Sequence, residues 1–168
     1  MMADGRVVEA ESILRECAAA SEQVLGATHE TTLTCLHTLG GSLGRQRRHS
    51  EELDVRAEVV RRWESVEPRD PARYGGALLM QSHTLFGLGR FAEAESCARS
   101  ALAVVGDVPG LEPRLVQHAW FFLVDALIGQ RADERAAEEI LSAAARHGSG
   151  FADALRDRAK RARASLHR

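Results

Sequence analysis

Apolar residues recur at the spacing of an α-helix along most of the chain. One such set is Leu36, Gly40 and Leu43, in which a small residue follows a large one after four positions and a leucine follows three positions later. Steps of three and four residues return to the same side of a helix, so the set marks one helical face. Equivalent sets occur at Leu78, Ser82 and Leu85 and at Trp120, Val124 and Leu127. The pattern predicts helices and no strand.

These sets belong to a longer repeat of constant period. Similar short segments begin at the evenly spaced residues 5, 47 and 89, and one more step of the same length leads to residue 131. The sixth position of each segment forms one column, occupied by Ala10, Glu52, Ala94 and Ala136. Small side chains let two helix axes approach closely, so each unit is interpreted as helix A, a turn and helix B.

Glycine and proline mark where these helices end. Gly26 follows the first B helix, Pro68 and Pro71 separate the next two units, and Pro113 opens the last. The predicted organisation is a single domain over 1–168, with a half repeat at 4–26, full repeats at 28–66, 70–105 and 112–147, and a capping helix at 150–166. Terminal units of helical arrays need a polar outer face, which the basic residues of the last helix supply.

Two segments carry a resemblance to a known family. The stretch from Leu25 to Leu36 contains a Leu-Gly pair, then His29 and Thr-x-x-Leu spacing, and the stretch from Gly89 to Glu95 reads Gly-Arg-Phe-Ala-Glu-Ala-Glu. The chain resembles the tetratricopeptide repeat (TPR) family, in the 42-residue variant found in kinesin light chains and many bacterial relatives. The resemblance implies an all-α fold, a right-handed superhelical array of antiparallel helix pairs with about eight helices.

The resemblance covers residues from about Gly5 to Arg146 and has departures. Arg47, Glu52 and Gln81 stand where the family prefers glycine, alanine and leucine. Replacement of Glu52 by alanine is therefore expected to be neutral or stabilising. HEAT and armadillo repeats have periods of similar length, but the columns of small residues favour the tetratricopeptide interpretation.

Composition excludes several classes of function. The net charge of −2 gives no general attraction for nucleic acid, and no apolar run approaches the length that spans a bilayer, so a cytoplasmic protein is expected. Cys17, Cys35 and Cys97 lie far apart in sequence and are expected to be reduced. No catalytic motif is present, so we expect neither an enzyme nor a bound metal or cofactor.

The resemblance implies a scaffold that binds a protein or peptide in its concave groove. Family positions on the A helices, transferred to this sequence, give the expected lining: Thr34, His37, Gly41, Arg45, Gly76, Leu79, His83, Phe86, His118, Phe121 and Asp125. The family's groove for an acidic chain end needs lysines and asparagines at such sites, and these are lacking here. An amphipathic helix or an extended apolar segment is the expected partner. The alternative is a ligand- or peptide-sensing regulatory or accessory subunit of a larger complex.

The first B helix has no A helix before it in this sequence. Its apolar stripe of Ala10, Leu14 and Cys17 is therefore expected to be open. An open apolar stripe usually marks an interface, so a homodimer through the half repeat is one prediction and coverage by the partner is the other.

Overall fold

The computed structural model describes residues 2–166 and their side chains from Val8 onward. The regular secondary structure of this part of the chain consists of eight helices: α1 (Met2–Leu25), α2 (Glu30–Arg45), α3 (His49–Glu64), α4 (Pro71–Gly87), α5 (Phe91–Val105), α6 (Pro113–Gly129), α7 (Asp133–His147) and α8 (Ser149–Leu166). The predicted all-helical array is confirmed. Helices α2, α4 and α6 are the A helices, and α1, α3, α5 and α7 are the B helices.

Each helix packs on the next one along the chain, and the A helices form an inner layer. In addition to these sequential contacts, α4 packs on α6 and α6 packs on α8. Helix α8 thus lies beside α6 in the position of a further A helix, and it closes the stack over α7. Its buried side is made of Ala152, Leu155, Ala159 and Ala162.

The turn between helices A and B has the same backbone conformation in all three units. Arg47, Gly89 and Arg131 have φ angles of 59°, 73° and 58°, in the left-handed region. The following residue donates its backbone N–H to a leucine carbonyl five residues back, with N···O distances of 2.9 to 3.1 Å. This is the hydrogen bond of a Schellman motif, which satisfies a free carbonyl at the end of a helix. The backbone conformation of the turns therefore repeats with the same period as the side-chain columns.

Two of the small columns lie where helices come closest. Ala94 and Ala136 have almost no exposed surface. The Ser82 hydroxyl donates to the Ala94 carbonyl at 2.8 Å, so α4 and α5 approach closely enough for a side chain to bond the facing backbone. These contacts explain why small residues stand at Ala94, Ala136 and Ser82.

The first unit is packed differently, around a buried ion pair. Glu52 and Arg56 of α3 are only 7% and 5% exposed. They lie against Gly44 and Gly40 of α2, where an added Cβ atom would come within 2.7 Å of Glu52 and 2.9 Å of Arg56. Glycine on α2 therefore supplies the space that alanine supplies in the other units. The expectation that Glu52→Ala is neutral or stabilising did not take this fit between Glu52 and the facing helix into account.

Further polar contacts surround this ion pair, and Arg56 Nε has no hydrogen-bond partner among the described residues. The Thr84 hydroxyl donates to Glu52 at 3.0 Å, and Arg56 donates to the His37 carbonyl at 2.9 Å. The Arg56 and Glu52 side chains approach to 3.6 Å. Burial lowers the pKa of Arg56, and the charge of Glu52 acts in the opposite direction. Glu52 thus compensates a guanidinium that has been removed from water.

A hydrogen bond from a glutamine to a glutamate joins neighbouring units, and the same contact recurs two repeats further along the chain. Glu11 accepts from Gln46 at 2.8 Å, and Glu95 accepts from Gln130 at 2.7 Å. The hydrogen bond from Gln46 lowers the pKa of Glu11. Burial acts to raise the pKa of Glu95, but the hydrogen bonds from Gln130 and from a neighbouring arginine outweigh it, so the pKa is lowered. Both carboxylates therefore hold the end of an A helix onto the preceding B helix.

The apolar stripe of α1 differs from the one expected. Ala10, Leu14 and Cys17 are half-buried, and the Cys17 sulfur meets the Cys35 sulfur of α2. More exposed large apolar side chains of α1 are Val8 and Ile13, each 59% exposed, and Val24, 81% exposed. The expected stripe is therefore partly covered within the chain, with Cys17 against α2.

We expect Glu52→Ala to reduce the free energy of unfolding by about 2 to 4 kcal/mol, because Arg56 would stay buried without its counter-charge. Chemical denaturation of the variant measures this loss. Asp54→Ala is the matched control, since Asp54 is an exposed carboxylate on the same helix. Equal stability of the Glu52 variant and the parent chain would contradict the ion-pair account.

Arg131→Gly should raise the free energy of unfolding by about 0.5 to 1 kcal/mol, because glycine adopts a positive φ without steric cost. The same measurement on Ala137→Gly, at an exposed position inside α7, should show a loss of about 1 kcal/mol. A destabilised Arg131→Gly variant would show that the arginine side chain, rather than the turn backbone, matters at this position.

Candidate functional site

An open cleft lies between α2 and α4, on the inner layer of A helices. It encloses about 220 Å³ and brings together three of the expected groove residues, Thr34, His37 and Gly76. Helices α2 and α4 are not among the closely packed helix pairs of the described chain, whereas α4 and α6 are. The cleft is the space that this wider separation leaves.

The floor of the cleft is apolar. Val59 and Trp63 of α3 lie beneath it, together with Leu33 and Ala77. An added Cβ atom on Gly76 would meet no other group within 4 Å, so this glycine keeps the cleft open without serving a tight helix contact. A groove with an apolar floor that opens to solvent is suited to an inserted apolar side chain.

The rim of the cleft is polar. His37 is open to solvent on one side, but partial burial, followed by the nearby charge of Arg56, lowers its pKa. Arg73 forms ion pairs with Glu30 at 2.5 Å and with Asp70 at 3.2 Å. Near neutral pH the rim therefore presents an uncharged imidazole next to a guanidinium that is paired with carboxylates.

A second group of expected residues meets on α4 and α6. His83, Phe86 and Asp125 line one small cavity with Phe122 and Arg158. The Phe122 ring centroid is 5.6 Å from that of His83 and 6.3 Å from that of His118. Phe122 therefore lies between the two histidines and links the middle unit to the last one.

Asp125 is not available as a groove hydrogen-bonding group. It is 4% exposed, and its two carboxylate oxygens accept from Arg158 Nε of α8 at 2.8 and 3.0 Å. Phe121 is half-buried, with the Arg158 guanidinium 5.8 Å from its ring centroid, and it packs against the core formed by α6, α7 and α8. The expected role of Asp125 is corrected because Arg158 of α8 already pairs with its carboxylate, whereas the groove role of Phe121 stays a prediction.

Leu79 is likewise not a groove residue. It is 1% exposed and packs with Val59, Val60 and Trp63 in the core between α3 and α4.

The aromatic residue that the sequence interpretation missed is Phe122, one position after Phe121. The columns of equivalent repeat positions in the sequence could have identified Phe122. Gly76, Met80 and His83 have the spacing of one helical face, and Phe122 stands one full repeat after Met80. The column that contains Met80 and Phe122 therefore faces the same side as Gly76 and His83.

The remaining expected residues lie at the edges of these two groups. His118 is exposed beside Phe122, and Arg45 is exposed at the end of α2. Gly41 is half-buried, and an added Cβ there would lie 3.7 Å from Arg56. The structure thus gathers Thr34, His37 and Gly76 at one cleft and His83 and Phe86 at another, with Arg45 outside both.

The described side chains provide no cluster of three or more histidine, cysteine or carboxylate groups placed to hold a metal ion. Within residues 2–166 every helix is too short or too polar to cross a membrane.

Comparison with known proteins agrees with this architecture. Residues 1–65 match the sequence model of the tetratricopeptide repeat. The segment Gly89–Glu95, one of the two that carry the resemblance in the sequence, lies outside that match. No curated protein sequence is significantly similar to the chain.

Solved structures extend the match to nearly the whole chain. A candidate kinesin light chain of Podospora anserina with nearly identical TPR-like repeats has a TM-score of 0.76 at 17% identity, with coverage of 95% of this chain and 78% of that one. A single-substitution variant of that protein has a TM-score of 0.77 at 16% identity, with the same coverage. BtubC (BKLC) from P. vanneervenii has a TM-score of 0.68 at 17% identity, with coverage of 97% of this chain and 59% of that one.

The predicted family resemblance is confirmed. Residues 1–65 carry the sequence pattern of the tetratricopeptide repeat, and nearly the whole chain has the fold of kinesin light chain-like repeat arrays.

Proposed function

We propose that this chain is a protein-interaction module that binds a segment of another protein on the inner layer formed by α2, α4 and α6. Tetratricopeptide repeats are in general protein-interaction modules. The observation that carries the proposal is the cleft between α2 and α4, because an apolar floor beneath a polar, solvent-open rim is what an inserted side chain requires. The scaffold acts by binding and positioning, and catalysis is not part of the proposal.

The occupant we propose is an amphipathic helix or an extended apolar segment. Gly76 and His83 are two helical turns apart on α4, so the cleft and the cavity beside Phe86 and Phe122 lie on the same face of that helix. Two apolar anchors in line suit a peptide that presents large side chains at regular intervals. The histidines at the edges supply hydrogen bonds to its polar side.

The alternative function is a regulatory or accessory subunit that senses a small ligand in the same cleft. The cleft volume of about 220 Å³ is smaller than the typical small-molecule pocket of roughly 300 to 1,000 Å³, which favours a single side chain of a larger partner. A thermal shift caused by small molecules from a cell extract, without any peptide, would support the sensor instead.

Gly76→Leu should weaken peptide binding at least about tenfold, because the new side chain would occupy the cleft. The variant should fold normally, since an added Cβ at Gly76 meets nothing within 4 Å. Calorimetry can test this with a peptide selected from a display library on the parent chain. Gly150→Leu in α8 is the matched control, because its added Cβ also meets nothing within 4 Å.

Arg99→Ala on α5 provides a second control, because Arg99 lies outside the inner layer and pairs with Glu95 and Glu139. If all three variants bind the peptide with the parental affinity, the cleft is not the binding site. A cationic peptide should also bind more weakly as the pH falls through the lowered pKa of His37, because protonation then adds a positive charge to the rim.

We propose, separately, that the outer side of α1 mediates self-association of two copies of this chain. Ile13 and Val24 are large apolar side chains with more than half of their surface exposed, and their spacing of eleven positions places them on the same face of α1. Light scattering over a range of concentrations should show a dimer for the parent chain and a monomer for Ile13→Glu. Ala103→Glu, at an exposed position on α5, is the control and should leave the dimer intact. A parent chain that stays monomeric at high concentration would contradict the proposal.

A further inference from the structure

The two cysteines nearest the amino terminus meet at the contact between α1 and α2. The sulfur atoms of Cys17 and Cys35 are 2.7 Å apart, although the residues are far apart in sequence. Both are free thiols in this structure. A disulfide requires an S–S distance of about 2.05 Å, so the two sulfurs need to approach by less than an ångström to become bonded.

We propose that Cys17 and Cys35 form an intramolecular disulfide under oxidising conditions and that this bond fastens α1 to the helical stack. The proposal concerns the contact between two helices of this chain, so it needs no partner and does not rest on the binding function.

The position of α1 gives this bond a mechanical consequence. Within the described chain α1 packs closely only on α2, whereas every helix from α2 to α7 packs on at least two others. Polar contacts add to this packing, from Glu11 to Gln46 and Arg48, and from Glu22 to Arg62. A helix held by one neighbour opens more readily than one held by two. A covalent link at Cys17 therefore acts on the helix whose attachment is weakest.

Hydrogen peroxide can serve as the oxidant that converts the two thiols to a disulfide. The Cys17 thiol, which is half-buried, is the more accessible of the pair, and attack of its thiolate on hydrogen peroxide gives a sulfenic acid and hydroxide. The Cys35 thiolate then attacks the Cys17 sulfur and displaces a second hydroxide. Each hydroxide takes up the proton that one of the two thiols released and becomes water. Two thiols and one peroxide thus yield one disulfide and two waters. Burial, followed by the contact with Cys17, raises the pKa of Cys35, so the second step is expected to be faster at higher pH.

Cys97 serves as an internal reference. It lies on α5, is half-buried, and burial raises its pKa to about 11, which keeps it a thiol. A low thiolate fraction means slow reaction with peroxide. Oxidation should therefore consume two thiols of the three and leave Cys97 free.

The experiment treats the full chain with dilute hydrogen peroxide and counts thiols after unfolding in guanidinium. We expect the count to fall from three to one, and digestion after glutamate without reduction should release peptide 17–22 linked to peptide 31–51. Cys97→Ser should lose both of its remaining thiols, and Cys17→Ser should lose neither. An unchanged count, a link that involves Cys97, or a bond between two chains would overturn the proposal.

Limited trypsin digestion tests the fastening of α1. Cleavage after Arg15, within α1, should become roughly tenfold slower in the oxidised chain, because the link opposes opening of that helix. Peroxide-treated Cys17→Ser should be cleaved at the same rate as before treatment. Formation of the bond without any change in cleavage of α1 would overturn the claim that it fastens the helix.

Discussion

The array depends on one backbone constraint, the left-handed residue at every turn between helices A and B. Arg47, Gly89 and Arg131 hold this conformation at equivalent positions, and each turn closes with the same hydrogen bond to a leucine carbonyl. Because the turn reverses the chain in the same way each time, successive helices pair in the same register. The A helices consequently share one side of the molecule, and the inner layer follows from that arrangement.

A fixed turn also limits which side chains fit between the paired helices. In the later units the close approach is met by Ala94 and Ala136, which are fully buried. In the first unit it is met by glycines on α2 that make room for Glu52 and Arg56. The space between helices A and B is thus filled by alanine in the later units and by a buried ion pair facing glycines in the first unit. The space between the helices, rather than the identity of any one residue, is what the repeat conserves along this chain.

The period of the repeat was enough to predict the eight helices, because small and large columns repeat with the backbone. It did not predict the exact phase of each helix face. A shift of one position turns a side chain by about 100°, and that shift separates the expected Phe121 from the observed Phe122. The roles of Asp125 and Cys17 were not predictable either, since they depend on where α8 and α2 place their partners. The buried position of Glu52 was not predictable, because a column of equivalent positions does not reveal the glycine that faces it on the other helix.

The A helices are not equally spaced along the proposed binding surface, so one part of the surface is filled by side chains and another part is open. Where α4 and α6 touch, Phe122 fills the space between His83 and His118. Where α2 and α4 stand apart, the apolar floor that α3 provides is open to solvent. A partner would therefore gain most from an apolar side chain placed in the gap at Gly76, with weaker contacts along the aromatic group.

Amide chemical shifts, recorded on the labelled chain as a selected peptide is added, test this account most directly. It predicts that the perturbed amides cluster in α2 and α4 around Thr34, His37 and Gly76, with smaller changes near Phe122 and none in α5 or α7. Perturbations concentrated on the outer side of α1 or on α5 and α7, with the amides around Gly76 unchanged, would contradict it.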